Sequence, residues 1–453
     1  MPSRVFISTE CTKCGGVLNL EEGASAITCP YCSSSFLVTG YDKVLSYYIP
    51  KNLDERNTVA LSLSRRYLQT LPDHYRIKEV NLFYFPFYRL RGKIFQLVND
   101  PGPEPSPSDP PCDRQAEVKT RYLERSFPAT HLEGLSFYSL GVRTSVLKLS
   151  FFEKEVLEQR GKIYPVTLDI AKALETGLAA NYQQELDHCV ISRILSIVYS
   201  PLWEVNVLGI DSTFSIIIDA VGESIIEHHA PYQFLTDNHS ELSAGELPKI
   251  AFHVLQCPNC GWDLAAKPEL YIFLCDHCHR AWESGDGGFE EARGAIARVS
   301  PADELPLVSY LPFWIISTHT SSGGLQEKDH RQLRLFIPAF KVRDLSVIYR
   351  LATTFTTVQP ELDLTPLSDD LPSSQVEGAV LRWDDARELA HLFSLSYTSR
   401  PLLRTVKDMK RPLEILAREL IWLPFYEKGI YLRDAILHQG IQKAKIRSPK
   451  LNL

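Results

Sequence analysis

Four segments of the chain combine a proline with a run of bulky apolar residues. They are FYFPFYRLRGKIF around Pro86, IVYSPLWEVNVLG around Pro201, SYLPFWIIST around Pro312 and IWLPFYEKGIYL around Pro424. Alternating or β-branched residues follow each proline, and this pattern predicts a β-strand that leads into a hairpin. Because proline has no N–H to donate, we expect it at the start or edge of its strand.

Two of these segments, at Pro86 and Pro201, are each the last part of a longer stretch, and the two stretches resemble each other. The segments at Pro50 and Pro165 each precede the next proline–aromatic segment by 36 residues. Apolar residues at helical spacing over 54–71 and 167–182 predict a helix within each interval. The sequence therefore predicts a repeated unit of extended segment, helix and β-hairpin.

A third, longer copy of this unit is predicted to begin at Pro338, with its helix over 344–353. The first copy is interrupted by residues 99–111, which hold six prolines in their last eleven positions. Such a stretch favours a stiff, exposed loop without a core. It lies between predicted strands at 93–98 and 116–123, so we expect a long hairpin insertion there.

Eight of the ten cysteines form four Cys-x-x-Cys pairs. The pairs fall into two sets of the form CxxC-x14-CxxC, and adding 246 to a residue number of the first set gives its counterpart in the second. The apolar neighbours follow the same shift, for example Leu18 to Leu264 and Phe36 to Trp282. We predict two copies of one metal-binding module, with these ligands: Cys11, Cys14, Cys29, Cys32, Cys257, Cys260, Cys275 and Cys278.

The spacing favours zinc. Two residues between thiols let one turn present both sulfurs to one ion, and two such turns complete a tetrahedral site of four thiolates. Gly15 and Gly261 can adopt the positive φ that such turns need. Redox pairs, a rubredoxin-like iron site and disulfides are the alternatives, and they fit the two equal sets less well. His277 and His279 are expected as loop histidines, because four thiols already fill the second site.

These motifs resemble the zinc-ribbon superfamily over residues 8–38 and 254–284. The usual ribbon turn is CPxCG, and this chain departs from it at four positions: Thr12, Ser33, Asp276 and His279. Together with the repeated proline–aromatic strands, the ribbons resemble a group of bacterial zinc-ribbon proteins of no established biochemical role. This resemblance implies two structural Zn²⁺ ions and an α+β body, and it implies no catalytic residue.

The predicted fold class is therefore α+β, with two small four-cysteine zinc ribbons attached to repeated helix and antiparallel β-hairpin units. We expect ribbon 1 at 1–40, a repeated body at 45–235 with its Pro-rich loop at 99–111, ribbon 2 at 252–285 and a C-terminal body at 300–453.

Composition narrows the class of protein. The chain has 453 residues, of which 44% are hydrophobic and 23% charged, and this balance is typical of a globular protein. No apolar run is long enough to span a membrane, and the first residues lack the features of a secretory signal. We expect a cytoplasmic protein. The net charge of −7 argues against a dedicated nucleic-acid binder.

No catalytic motif stands out. The sequence has no Walker loop, no G-x-G-x-x-G, no H-E-x-x-H and no G-x-S-x-G. The compact trio Asp187-His188-Cys189 is expected to be non-catalytic, because neighbours in a strand point apart. His228-His229 is expected at an exposed strand end, and Cys112 is expected to be an ordinary thiol.

Three hypotheses of function remain. The leading one is a non-enzymatic scaffold or assembly factor that uses zinc-stabilised ribbons to bind another protein or protein complex. The first alternative is a nucleic-acid-associated ribbon protein, although neither ribbon has clustered Lys and Arg. The second is an enzyme with a site between the repeated units. Strand alternation should bury most aromatic residues of the proline segments, which limits their use as interface anchors.

Overall fold

The computed structural model describes these stretches of the chain: 5–41, 43–50, 58–71, 74–98, 117–130, 140, 148–179, 188–209, 213–229, 249–285, 287–298, 308–319, 332–367, 376–395 and 413–446. The Pro-rich segment 99–111, Cys112 and Asp187 lie outside the described residues.

The strands up to residue 229 are β1 (Phe6–Glu10), β2 (Val17–Glu21), β3 (Ala26–Thr28), β4 (Ser35–Thr39), β5 (Leu45–Tyr48), β6 (Arg76–Val98), β7 (Glu117–Pro128), β8 (Lys148–Phe151), β9 (Lys162–Ile163), β10 (His188–Leu208), β11 (Thr213–Asp219) and β12 (Ser224–His229). Those that follow are β13 (Ala251–Val254), β14 (Ile272–Leu274), β15 (Ala281–Gly285), β16 (Gly288–Ala292), β17 (Gly294–Ala297), β18 (Val308–His319), β19 (Gln332–Pro338), β20 (Leu364–Pro366), β21 (Ile415–Lys428), β22 (Tyr431–Asp434) and β23 (Gly440–Gln442). The helices are α1 (Thr58–Leu68), α2 (Lys154–Glu158), α3 (Ile170–Ala179), α4 (Ser346–Val358) and α5 (Trp383–Ser394), with a 3-10 turn at Lys443–Lys445.

The described part of the chain is mostly β, with 51% of its residues in strands and 16% in helices. The prediction of an α+β body made of helix and hairpin units is therefore wrong. Each proline–aromatic strand does continue into an antiparallel partner, but β6 also pairs along its length with β10, and β18 with β21. This long-range pairing merges the segments predicted as separate units into two large sheets of ten and seven strands.

The two large sheets share one pairing scheme. On the edge away from β6, strand β10 pairs with β5 in parallel and with β11 in antiparallel orientation. On the edge away from β18, strand β21 pairs in the same way with β17 and β22. A side-chain hydrogen bond is also similar in the two sheets. Two residues after Pro86 the Tyr88 hydroxyl donates to the Leu168 carbonyl (2.8 Å), and two residues after Pro312 the Trp314 indole N–H donates to the Leu381 carbonyl (3.0 Å). The correspondence thus relates whole sheets.

The four prolines lie inside long strands and not at their starts. Each lies where one strand stops pairing with the proline strand and the next strand on the same edge starts. Along β6 these strands are β9 and β7, and along β10 they are β5 and β11. The carbonyls of Pro86, Pro201, Pro312 and Pro424 accept the backbone N–H of Ala129, Ala220, Ala339 and Ala435, at 2.9, 3.2, 2.9 and 2.9 Å.

Pro312 shows why proline suits this point. Its carbonyl faces the β19 edge, and the nitrogen of a strand residue faces the same edge as its carbonyl. On that edge β19 pairs with β18 from Phe313 onward, and the next bridge is at Tyr310. The Ala339 carbonyl is turned away, because it accepts the Val380 N–H at 2.7 Å. The Ala339 carbonyl would therefore not accept an N–H at position 312, and proline has no N–H that needs an acceptor.

Most aromatic residues of the proline segments belong to the core, as strand alternation predicts. Eight aromatic residues close to the four prolines are at most 8% exposed, whereas Tyr310 is partly exposed and Tyr431 is 38% exposed; the eight are Phe85, Phe87, Tyr88, Trp203, Phe313, Trp314, Phe425 and Tyr426.

Local predictions fare better than the global one. Helices α1, α3 and α4 fall within or overlap the predicted ranges 54–71, 167–182 and 344–353. The predicted hairpin around the Pro-rich segment is confirmed, because β6 and β7 pair in antiparallel orientation up to Val98 and Glu117. Helix α5 was not expected. Its apolar residues Ala386, Leu389 and Phe393 lie on one buried face.

Candidate metal centres

The first four-cysteine cluster joins two turns near the N-terminus. Cys11 and Cys14 lie between β1 and β2, and Cys29 and Cys32 lie between β3 and β4. The Sγ atoms of Cys11 and Cys32 are 3.8 Å apart, and those of Cys14 and Cys29 are 3.7 Å apart. All four sulfurs lie within 4.8 Å of one another, so they can ligate one metal ion. We call residues 5–40 module 1.

The second cluster repeats this arrangement in residues 251–285, which we call module 2. The Sγ atoms of Cys257 and Cys278 are 3.5 Å apart, as are those of Cys260 and Cys275. Burial follows the same order in both modules: the first and third cysteines are buried, the second is exposed and the fourth is intermediate. This confirms the prediction that the eight thiols form two groups, each able to hold a metal ion.

The backbone turns explain how two adjacent thiols converge. In every turn the residue after the second cysteine donates its N–H to the carbonyl of the first, as Gly15 does to Cys11 at 2.8 Å. Gly15 and Gly261 have φ of 72° and 73°, as predicted. Ser33 and His279 adopt φ of 56° and 59° at the equivalent points, so the departures from CPxCG keep the geometry at the expense of backbone strain.

Hydrogen bonds to individual sulfurs favour the thiolate form that metals require, whereas burial raises the pKa of the Cys275 thiol to about 12. The side chain and the backbone N–H of Ser34 lower the pKa of the Cys32 thiol to about 6. In module 2 the buried indole N–H of Trp282 lies 3.2 Å from the Cys257 Sγ. Donors of this kind stabilise metal-bound thiolates from outside the ligand set.

The two modules pack together although about 210 residues separate them in sequence. Strand β13, which leads into module 2, pairs with β4 of module 1 from Ala251–Thr39 to Val254–Phe36. The Ser25 N–H donates to the Pro268 carbonyl at 2.7 Å, and its hydroxyl donates to the Leu270 carbonyl. Leu37 of module 1 and Phe273 of module 2 share one buried cluster. The two candidate metal centres therefore belong to one packed body.

The exposed tips of the modules carry aromatic rings. In module 2 the Trp262 and His277 rings stack with centroids 5.1 Å apart and planes 17° apart. In module 1 the equivalent positions are Gly16 and Tyr31, and the Tyr31 ring covers Gly16 so closely that a Cβ there would lie 2.5 Å from the Tyr31 Cδ2. The sequence analysis missed this pairing, although the constant shift of 246 aligns the four residues.

A buried ion cluster joins the end of β2 in module 1 to β6, another strand of the same ten-stranded sheet. The Glu22 carboxylate, whose side chain is fully buried, accepts hydrogen bonds from Arg89 at 2.6 Å and from Arg91 at 3.0 Å. Arg89 also donates to Glu124 at 2.7 Å. No sequence motif marked these residues, because they come from distant parts of the chain.

A second polar contact lies between the two large sheets. Ser192 sits at an irregular point of β10 with φ of 52°, and its N–H donates to the Asp385 carboxylate of α5 at 2.9 Å. Burial raises the pKa of Asp385, although the Ser192 N–H and the nearby Lys93 act in the opposite direction. Burial also raises the pKa of the Cys189 thiol, which makes that thiol a poor nucleophile.

Other candidate ligands do not join a cluster. Within the described residues, no further group of three or more His, Cys, Asp and Glu side chains comes this close together. His277 and His279 lie beside the second cluster and outside its four thiols. The side chains of His228 and His229 lie outside the described residues.

No family model, no curated protein and no solved structure matches this chain in the comparisons. The resemblance to zinc ribbons thus rests on the cysteine spacing and on the geometry of the two clusters. None of the helices in the described ranges has both the length and the apolar character needed to cross a membrane.

Proposed function

We propose that each four-cysteine cluster binds one structural Zn²⁺ ion. A Zn–S bond of about 2.3 Å in a tetrahedral site places the sulfurs about 3.8 Å apart. The paired sulfurs at 3.8, 3.7, 3.5 and 3.5 Å agree with that value. Four soft thiolate donors without a histidine or carboxylate also favour zinc over calcium, magnesium or manganese.

The proposed ions serve structure and not catalysis. Four protein ligands fill a tetrahedral site, so no position is open for water or substrate. Each module has only short strands and a small core, so metal binding supplies much of its folding free energy. Because the two modules pack on each other, metal binding in one module also stabilises the other.

We further propose that the protein is a non-enzymatic scaffold or assembly factor that binds another protein through the zinc-held modules. The observation that carries this proposal is the exposure of large aromatic rings on rigid turns. Tyr31 is 68% exposed and Trp262 is 54% exposed, whereas aromatic residues next to the four prolines, such as Phe87, Trp203, Phe313 and Phe425, are at most 8% exposed. Aromatic side chains that protrude from a fixed frame are common anchors of protein interfaces.

Metal analysis tests the zinc proposal. Purified wild-type protein should contain about two zinc ions per chain, and Cys14→Ser and Cys260→Ser should each lose about one. Cys189→Ala is the matched control, because this buried cysteine lies outside both clusters, and it should keep two. Zinc well below two per wild-type chain would contradict the proposal.

Affinity purification from the native host, with nuclease present, tests the scaffold proposal. Wild-type protein should retain a stoichiometric protein partner, and a Tyr31→Ala, Trp262→Ala double variant with full zinc content should lose it. A wild-type protein that is retained alone would argue against a scaffold. Retention of nucleic acid when nuclease is omitted would favour the first alternative instead.

A further inference from the structure

The exposed tip of module 2 has a built aromatic surface. Trp262 is 54% exposed, whereas Trp203, Trp282, Trp314 and Trp422 are at most 8% exposed. The stacked Trp262 and His277 rings are both exposed and form one contiguous aromatic patch, and contiguous patches mark sites of interaction more often than single exposed residues do.

Both rings of this surface are held in place by the turns of the second cluster. The Trp262 carbonyl accepts the Cys257 N–H at 2.8 Å, and His277 lies between two ligand cysteines. Because the rings also stack on each other, little conformational entropy remains to be lost when a partner binds.

The charge around the rings selects the partner. Asp263 follows Trp262 and Asp276 precedes His277, and both are exposed. Asp263 accepts a hydrogen bond from the neutral Gln256 amide at 3.1 Å, and the nearby cation Arg280 is turned to Glu291 at 3.1 Å. Module 2 has two basic residues, Lys267 and Arg280, and four acidic ones, Asp263, Glu269, Asp276 and Glu283. A phosphate backbone would be repelled here, whereas a guanidinium group can stack on the indole ring beside carboxylates.

Module 1 provides an internal comparison. The positions equivalent to Asp263 and Asp276 are Val17 and Pro30, so its tip has a tyrosine ring but no flanking carboxylates. The combination of stacked rings and acidic neighbours is therefore specific to module 2.

We propose that Trp262, His277, Asp263 and Asp276 form a docking site for a basic, arginine-containing segment of a partner protein. This inference rests on the proposed function, because zinc binding holds the rings in place.

Fluorescence quenching tests the site in the full-length, zinc-loaded protein. Acrylamide quenches exposed indole rings; Trp262 is 54% exposed and Trp383 is partly exposed, so the Trp262 signal is taken as the part of the quenching that Trp262→Phe removes. The probes are an Arg-Gly repeat peptide, a Glu-Gly peptide of the same length and oligothymidine. The Arg-Gly peptide should bind and protect Trp262 from quenching, and the other two should not.

Variants separate the site from a general charge effect. Fluorescence anisotropy with labelled Arg-Gly peptide should show about ten-fold weaker binding for Trp262→Ala and for Asp263→Asn, Asp276→Asn, and near-wild-type binding for Trp262→Phe. Ile430→Ala is the matched control, because Ile430 is 66% exposed and lies between β21 and β22, outside both modules, and it should bind as wild type does. Zinc content is measured for each protein. A wild-type protein without zinc would contradict the proposed function, and a variant that loses peptide binding counts against or for the docking site only if it retains two zinc ions. Absence of protection by Arg-Gly peptide in protein with two zinc ions, or protection by oligothymidine, would overturn the docking site.

Discussion

Removal of the Glu22 carboxylate should destabilise the protein strongly. Glu22 follows β2 in module 1 and joins it to β6, and its side chain is fully buried against Arg89 and Arg91. Each of the two charge-assisted hydrogen bonds, at 2.6 and 3.0 Å, contributes about 1.5–3 kcal/mol. Glu22→Ala would leave the buried Arg89 with one partner fewer, and breaking a buried ion pair from one side costs about 3–5 kcal/mol. We therefore expect a loss of about 3–5 kcal/mol in the free energy of unfolding.

Urea unfolding followed by circular dichroism measures this loss. Glu124→Ala is the matched control, because Glu124 pairs with the same Arg89 at 2.7 Å but its side chain is 33% exposed. That change should cost clearly less than Glu22→Ala, because the partly exposed Glu124 carboxylate gives up less on solvation and Arg89 keeps the buried Glu22 carboxylate as its partner. Replacement of both buried partners, in Glu22→Leu, Arg89→Met, should recover most of the loss. If Glu22→Ala costs no more than Glu124→Ala, the assigned role of the buried cluster is wrong.

Three further predictions follow from backbone and charge. His279→Gly should raise the melting temperature of the zinc-loaded protein, because glycine relieves a positive φ that costs other residues about 1–2 kcal/mol; a lowered melting temperature would argue against strain at this turn. Pro312→Ala should lose about 1–3 kcal/mol in urea unfolding, because it places an N–H where the Ala339 carbonyl is turned away; an unchanged midpoint would contradict that explanation. Burial raises the pKa of Asp385, so the folded state retains its proton to higher pH than the unfolded state, and wild-type stability should fall as pH rises from the ordinary carboxyl pKa through the raised one. Asp385→Asn should lack this part of the pH dependence, and parallel stability curves for the two proteins would refute the assignment.

Features determined by a few neighbouring residues could be predicted from the sequence. The two cysteine clusters follow from CxxC spacing, because each pair is brought together by one short turn. Helices such as α4 follow from apolar residues at helical spacing, and the positive φ at Gly15 follows from the turn that the ligands need.

Features that depend on distant partners could not be predicted in this way. Nothing near Pro86 or Pro201 indicates that their strands pair side by side, because register is set by the complete sheet. The same holds for β13, which completes the small sheet of module 1 from residues next to module 2. The stacked Trp262 and His277 rings are an intermediate case, because the shift of 246 aligns the two modules but does not reveal which rings meet.

The most direct test of the zinc assignment is X-ray absorption at the zinc edge combined with a zinc count on the same sample. The two four-cysteine clusters predict about two zinc ions per chain, each with four sulfur neighbours at about 2.3 Å. Nitrogen or oxygen in the ligand shell would contradict two closed structural zinc sites. So would natively purified protein that contains no zinc and has all eight cluster thiols freely reactive.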